Sequence, residues 1–213
     1  MITPNMITVA RMCLAVVSVA LFRHGFYASA VALILLVVTI WLDAVDGSLA
    51  RRSGRATDAG AAFDIAADRV VENIYWIWFA SAGLITFWIP VIVIARGCLT
   101  DFLRGIAFRQ GQTAFGEKTM MQTWWGRLLV GSRFSRAAYG VLKCAAFFAL
   151  GARLVLDEAP QWRGLLTAGI INGLQFAALA LAVAAVVFCV VRGVPVIIEG
   201  LRFFRKAPAL TTQ

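Results

Sequence analysis

The sequence predicts an all-α membrane protein, with six transmembrane helices in a single domain over residues 1–213, and three observations carry that expectation. Composition is the first: 61% of the residues are hydrophobic and the mean hydropathy is +0.82, too apolar for a water-soluble domain. The second is the spacing of the apolar runs, which fall near residues 6–22, 28–50, 60–82, 85–107, 134–156 and 167–198. Each is long enough to cross ~30 Å of hydrocarbon, which takes about 20 helical residues. The third is where the basic residues fall. Arg51, Arg52 and Arg55 follow the second run, Arg104, Arg109, Lys118, Arg127, Arg133 and Arg136 lie around the link between the fourth and fifth, and Arg202, Arg205 and Lys206 end the sixth. Only Arg23, Arg153 and Arg163 fall in the opposite loops. The positive-inside rule then places both termini and the loops after helices two and four in the cytoplasm.

Taken in order, the first run opens on Thr3-Pro4-Asn5, a cap followed by a first-turn proline. Ala28-Ser29-Ala30 resembles a cleavage site, but Arg11 interrupts the run and apolar sequence resumes at once, so an uncleaved first helix is expected. His24, the single histidine, sits in a short outer loop and is expected to have no catalytic role. The second and third runs meet at a polar link, Arg52 to Ala59, which contains Gly54 and forms a hairpin. The long link from Arg109 to about Arg133 contains Gly111, Gly116, Gly126 and Gly131, with Trp124 and Trp125 at its centre. Tryptophan beside basic residues suits a segment lying in the membrane interface. Lys143 and Arg192 fall inside the fifth and sixth helices, where they either pair, reach the interface or line a groove. Tyr75-Trp76-Ile77-Trp78-Phe79 and Phe147-Phe148 read as interhelical or lipid-facing packing. Cys13, Cys98, Cys144 and Cys189 are spaced for neither zinc nor a disulfide framework and read as small buried hydrophobes. Pro208 to Gln213 reads as a frayed tail.

The net charge of +9 follows from the topology signal and suits anionic lipid headgroups. A nucleic-acid partner is excluded, because no soluble basic face with interleaved aromatics exists.

The chemistry concentrates between residues 43 and 68. Asp43 and Asp46 lie three apart, Asp64 and Asp68 four apart, so on helices each pair shares a face, and Gly47, Ala50 and Gly60 clear space beside them. Four like charges near membrane depth repel one another and lose hydration unless divalent cations neutralise them. Oxygen ligands without a His or Cys cluster favour Mg2+ or Mn2+ over zinc. A site of two such ions would polarise phosphoryl oxygens, neutralise a leaving group and orient an in-line displacement. The competing reading of these carboxylates is an ion-coupled transporter, which predicts the aspartates but not the surrounding Gly, Ala and Arg positions.

The full pattern, D-x2-D-G-x2-A-R-x8-G-x3-D-x3-D from Asp43 to Asp68, resembles the signature of the CDP-alcohol phosphatidyltransferases at every fixed position. The resemblance implies transfer of a phosphatidyl group from CDP-diacylglycerol to the hydroxyl of a small alcohol, with release of CMP. It further implies that Asp43, Asp46, Asp64 and Asp68 hold the two metal ions, that Asp68 also accepts the proton of the attacking hydroxyl, and that the enzyme is a homodimer. Gly47, Ala50, Arg51 and Gly60 match the positions that surround the cytidine diphosphate; small residues let a nucleotide approach the backbone, and Arg51 offers a forked donor to phosphate. Asn5, Thr8 and Arg11 resemble the N-x2-T-x2-R opening of phosphatidylglycerophosphate synthases, beside the simpler reading of a helix start. Arg69 either supports Asp68 or snorkels to the interface.

Within the family the chain is closest in appearance to phosphatidylglycerophosphate synthases. Arg96 and Arg104, in Ala-Arg-x7-Arg, and Lys118, in Lys-Thr-x2-Gln122, resemble elements expected to meet the phosphate of glycerol 3-phosphate. Converging basic side chains select a phosphorylated alcohol over a neutral one. The chain departs from that pattern in a short Arg104 to Lys118 stretch, in Gly97 after Arg96, and in the added Arg127, Arg133 and Arg136. Those additions serve either membrane topology or another acceptor such as inositol phosphate. The expected setting is the bacterial inner membrane, with the site facing the cytoplasm.

Overall fold

The structure, a computed structural model, describes residues 4–53, 58–109, 120–159 and 168–205, with the backbone alone at 4–5, 44–53, 58–59, 61, 109, 168 and 203–205. The described residues are helical, with no strand among them. The long helices are α1 (Pro4–Leu21), α2 (Phe26–Ser53), α3 (Asp58–Ser81) and α4 (Trp88–Arg109). A single turn, α5 (Trp124–Gly126), runs into a π-helical turn at Arg127–Gly131; α6 (Arg133–Asp157) and α7 (Ala168–Arg205) complete the chain. Three stretches are long and apolar enough to cross a membrane: Phe26–Asp43 in α2, the whole of α6, and Gly169–Arg202 in α7, while Met6–Leu21 in α1 is a shorter apolar helix. Large apolar side chains such as Ile34, Val141, Phe176 and Val187 lie on the surface of these helices, where water would disfavour them and lipid would not.

The chain divides into two compact units. The first contains residues 1–90 and 144–182. Pro4 occupies the first position of α1, where its missing N–H costs nothing. The α1–α2 turn needs positive φ at Arg23 and Gly25, and the Arg23 N–H donates to Ser29 Oγ at 3.1 Å. Ser18 Oγ–H donates to the Ala32 carbonyl at 2.8 Å, a buried link between α1 and α2. Helix α3 ends in a Schellman arrangement: Gly83 takes φ +77°, its N–H meets the Ala80 carbonyl, and the Leu84 N–H meets that of Phe79. Phe147 packs against Tyr75, Trp76 and Phe79, with ring centroids 4.8–5.9 Å apart. The aromatic run of α3 is therefore interhelical packing at Tyr75, Trp76 and Phe79 and outward-facing at Ile77, while Phe148 points outward beside buried Phe147. Gly151 admits close packing, since a Cβ there would stand 2.9 Å from Leu33 Cδ1.

The second unit contains residues 91–143 and 183–213. Its core joins Ala107, Met120, Met121, Val130 and Val196, with Leu129 packed against them. Gly200 allows α7 to approach α4, for a Cβ on it would lie 2.9 Å from Leu103 Cβ.

Two expectations need correction. Cys13 and Cys98 are exposed on their helices, so only Cys189 is a buried small hydrophobe, with Cys144 between these extremes. Arg153 lies within α6 and pairs with Asp157 instead of standing in a loop. Gly54, Gly111, Gly116, Lys118, Arg163, Lys206, Gly164 at the start of the small-residue stretch 164–173, and the tail Pro208–Gln213 lie outside the described residues.

Candidate functional site

Helix spacing in the first unit sets the site. Asp64 and Asp68 stand one turn apart on α3, and Asp43 lies in the C-terminal half of α2. Their carboxylates converge: one oxygen from each lies within 4.8 Å of the others. At the centre sits Arg11 of α1, only 1% exposed. One guanidinium nitrogen pairs with Asp43, while the other is 3.2 Å from Asp64 Oδ1 and 2.6 Å from Asp68 Oδ1. The carboxylates themselves stay open, with side-chain exposures of 52%, 40% and 46% for Asp43, Asp64 and Asp68. Buried cation and half-solvated anions form an asymmetric network: the guanidinium has its counter-charges, and each carboxylate keeps a side toward ligand or solvent.

This donor set fits a hard divalent cation. It is all carboxylate oxygen, lacks His and Cys, and carries more negative charge than Arg11 alone balances among the described residues.

Asp46, Gly47, Ala50 and Arg51 continue the same helix α2, where the backbone alone is described, and Asn5 likewise has only its backbone described, in the first turn of α1. Thr8 is buried one turn before Arg11, and Gly60 is half-buried one turn before Asp64. Of the Asn5, Thr8, Arg11 series, Arg11 reaches the carboxylates of both α2 and α3. Arg69 bonds Glu72 at 3.5 Å, and Glu72 is 4% exposed. Glu72 escaped the sequence analysis, although it prolongs the Asp64–Asp68 spacing by one more turn.

The basic candidates belong to the second unit. Arg96 is half-buried against Gly193, and Arg104 lies 3.6 Å from Asp101 on the same helix. Arg133 and Arg136 open α6, the former exposed and the latter half-buried. Lys118 is among the residues not described. Of the intrahelical charges left open by sequence, Arg192 donates to the Leu129 carbonyl at 3.0 Å and lies 5.5 Å from the Tyr139 ring centre, while Lys143 Nζ lies 5.6 Å from the same centre.

Residues 1–198 match the CDP-alcohol phosphatidyltransferase family. The chain belongs to that family. Among curated proteins it is similar to an archaetidylinositol phosphate synthase of Aeropyrum pernix, 35% identical over 105 residues, which is 47% of this chain and 50% of that protein. It is also similar to a probable phosphatidylglycerophosphate synthase of Mycobacterium tuberculosis, 28% identical over 156 residues, or 71% of this chain and 74% of the relative. The match thus spans half the length of the archaeal relative and about three quarters of the mycobacterial one. Family and apolar helices together make this a membrane protein of the phospholipid-synthesis class.

Proposed function

We propose that this chain transfers a phosphatidyl group from CDP-diacylglycerol to the hydroxyl of a phosphorylated small alcohol, glycerol 3-phosphate being the first choice. The observation that carries the reading is the meeting of Asp43, Asp64 and Asp68 around Arg11 in a chain of this family. In this reading Asp43, Asp46, Asp64 and Asp68 hold two divalent cations, Mg2+ or Mn2+. When bound, such ions supply polarisation of the phosphoryl oxygens and neutralisation of the departing phosphate.

The rest is work for side chains. Arg51 holds a phosphate oxygen of the donor, and Gly47, Ala50 and Gly60, with Asn5 and Thr8, give the cytidine diphosphate close access to backbone. Arg11 keeps three carboxylates at fixed spacing, so that they do not splay apart through mutual repulsion. The alcohol oxygen attacks the phosphorus attached to diacylglycerol, the bond from that phosphorus to the bridging oxygen breaks, and CMP leaves with the bonding pair. Asp68 accepts the hydroxyl proton as the new phosphodiester forms. Arg96, Arg104 and Lys118, with Gln122 beside them, meet the phosphate of the acceptor, and Arg133 and Arg136 reinforce that charge.

Inositol phosphate is the second acceptor to consider, because the relative named for an inositol phosphate product has the higher identity. Both relatives' names contain a phosphate on the head group, which favours a phosphorylated alcohol in either case. The setting proposed is a single domain, residues 1–213, of six spans in the bacterial inner membrane, with the site toward the cytoplasm. A homodimer completes it; the small-residue stretch from Gly164 to Gly173 suits helix contact, and within it Gly173 is exposed with open space beside it.

The test is CMP release from CDP-diacylglycerol by the purified protein with glycerol 3-phosphate, inositol phosphate, inositol, serine or choline. A phosphorylated alcohol should win. A neutral alcohol that outperforms both phosphates would overturn the acceptor assignment, because converging basic side chains favour a ligand that can pair with them.

A further inference from the structure

Two buried charged side chains of α7 take no part in the chemistry proposed above: Glu199, 1% exposed, and Arg192, 9% exposed. They are seven residues apart, two helical turns, and so share a face. Both hold the same segment. Glu199 accepts the backbone N–H of Gln122 and the hydroxyl of Thr123. Thr123 Oγ in turn accepts the Gly126 N–H at 3.3 Å and so caps α5. A Cβ on Gly126 would stand 2.5 Å from Glu199 Oε1, so the carboxylate lies directly against this turn. Seven residues earlier on α7, Arg192 Nε donates to the Leu129 carbonyl at 3.0 Å. Arg127 closes the segment on itself, donating to the Met121 carbonyl at 3.1 Å. Burying a carboxylate is costly unless donors surround it, and the donors here are a peptide N–H and a hydroxyl, both from one short stretch.

We infer that Glu199 is a positioning residue for the acceptor: by gripping Gln122 and Thr123 it fixes the segment 120–131, and with it the place where Gln122 meets the alcohol's phosphate. This rests on the acceptor reading above. The side chain of Gln122 is exposed while its backbone N–H is held, the arrangement a presenting residue needs.

The test uses the full chain in lipid nanodiscs, with steady-state kinetics for both substrates and hydrogen exchange over residues 120–131. Glu199→Leu should raise the acceptor KM by about tenfold or more, leave the CDP-diacylglycerol KM within about twofold, and speed exchange in that segment. Glu199→Gln keeps a carbonyl for the Gln122 N–H and should retain most of the acceptor affinity. Thr123→Val deletes one donor at a half-buried site and should give a smaller rise in the same direction; if Glu199→Leu fails to insert, this variant decides. Equal rises in both KM values, an unchanged acceptor KM in Thr123→Val and Glu199→Leu, or a Gln variant no better than Leu would each overturn the inference. Lys118→Gln separates the two claims. A raised acceptor KM in Lys118→Gln with none in Glu199→Leu rejects the grip and keeps the acceptor reading; the converse keeps the grip and rejects the role of Lys118.

Discussion

Arg11 and Glu199 are each 1% exposed, one in each unit, and are satisfied in opposite ways. Arg11 meets three carboxylates that remain 40–52% exposed, whereas Glu199 is itself a buried carboxylate and meets the backbone N–H of Gln122 and the hydroxyl of Thr123. The difference separates carboxylates left open to a ligand from one engaged by the chain itself. Carboxylates around Arg11 keep lone pairs open toward a ligand, while both oxygens of buried Glu199 are engaged by the chain itself. Burial of charge alone therefore does not mark a candidate reaction centre; carboxylates that stay open do.

The comparison breaks first, and most visibly, at the aspartates. Asp46→Asn removes one charge from the proposed metal set with little change in shape. It should lower turnover by at least about a thousandfold, since the electrostatic contribution of such a site is several kcal/mol. Insertion and detergent extraction should be normal. Appreciable transfer by the well-folded variant would sink the metal-site reading.

Arg11→Met tests the other side of the same network. Removing a buried cation from its partners commonly costs about 3–5 kcal/mol, and the exposure of these carboxylates brings the expected loss toward about 2 kcal/mol. Thermal unfolding in detergent reads this directly. Added Mg2+ should recover more stability in the variant than in the parent protein, because the cation replaces the missing counter-charge. Equal Mg2+ responses would show that Arg11 and the ion do not answer the same carboxylates.

In the second unit, Arg104→Gln and Lys118→Gln should each lower acceptor kcat/KM by about ten- to a hundredfold, the loss of roughly 1.5–3 kcal/mol from a charge-assisted contact. The CDP-diacylglycerol term should hardly change. An unaltered acceptor term in both variants would shift attention to Arg133 and Arg136. The smallest effect belongs to Gly126→Ala, whose added methyl displaces the Glu199 carboxylate and should destabilise by about 1–2 kcal/mol. A neutral Gly126→Ala would show that the carboxylate yields easily and that its grip is loose.

Much of this was legible in the sequence. The apolar run at 60–82 became Asp58–Ser81 and the run at 134–156 became Arg133–Asp157, because run length and flanking charge are local properties. The convergence of Asp64 and Asp68 followed from helical spacing for the same reason. Contacts closed across long separations were illegible: Arg11 meets Asp68 57 residues away, and Glu199 meets Gln122 77 residues away. No periodicity encodes such a meeting. The exposure of Cys13 and Cys98 was misjudged because, in a helix apolar on all sides, hydrophobicity no longer separates the protein interior from the lipid face.

The half-exposed carboxylates around Arg11 are proposed as a metal-dependent phosphatidyl-transfer centre. Its most direct test strips divalent cations from the purified protein, then titrates Mg2+ into CDP-diacylglycerol and glycerol 3-phosphate, following CMP and the lipid product by mass spectrometry. The account predicts that CMP and a phosphate-bearing phospholipid appear together, in equal amounts, only when both Mg2+ and the alcohol are present. Sustained CMP release in the stripped protein, or release without a matching phospholipid, would contradict it.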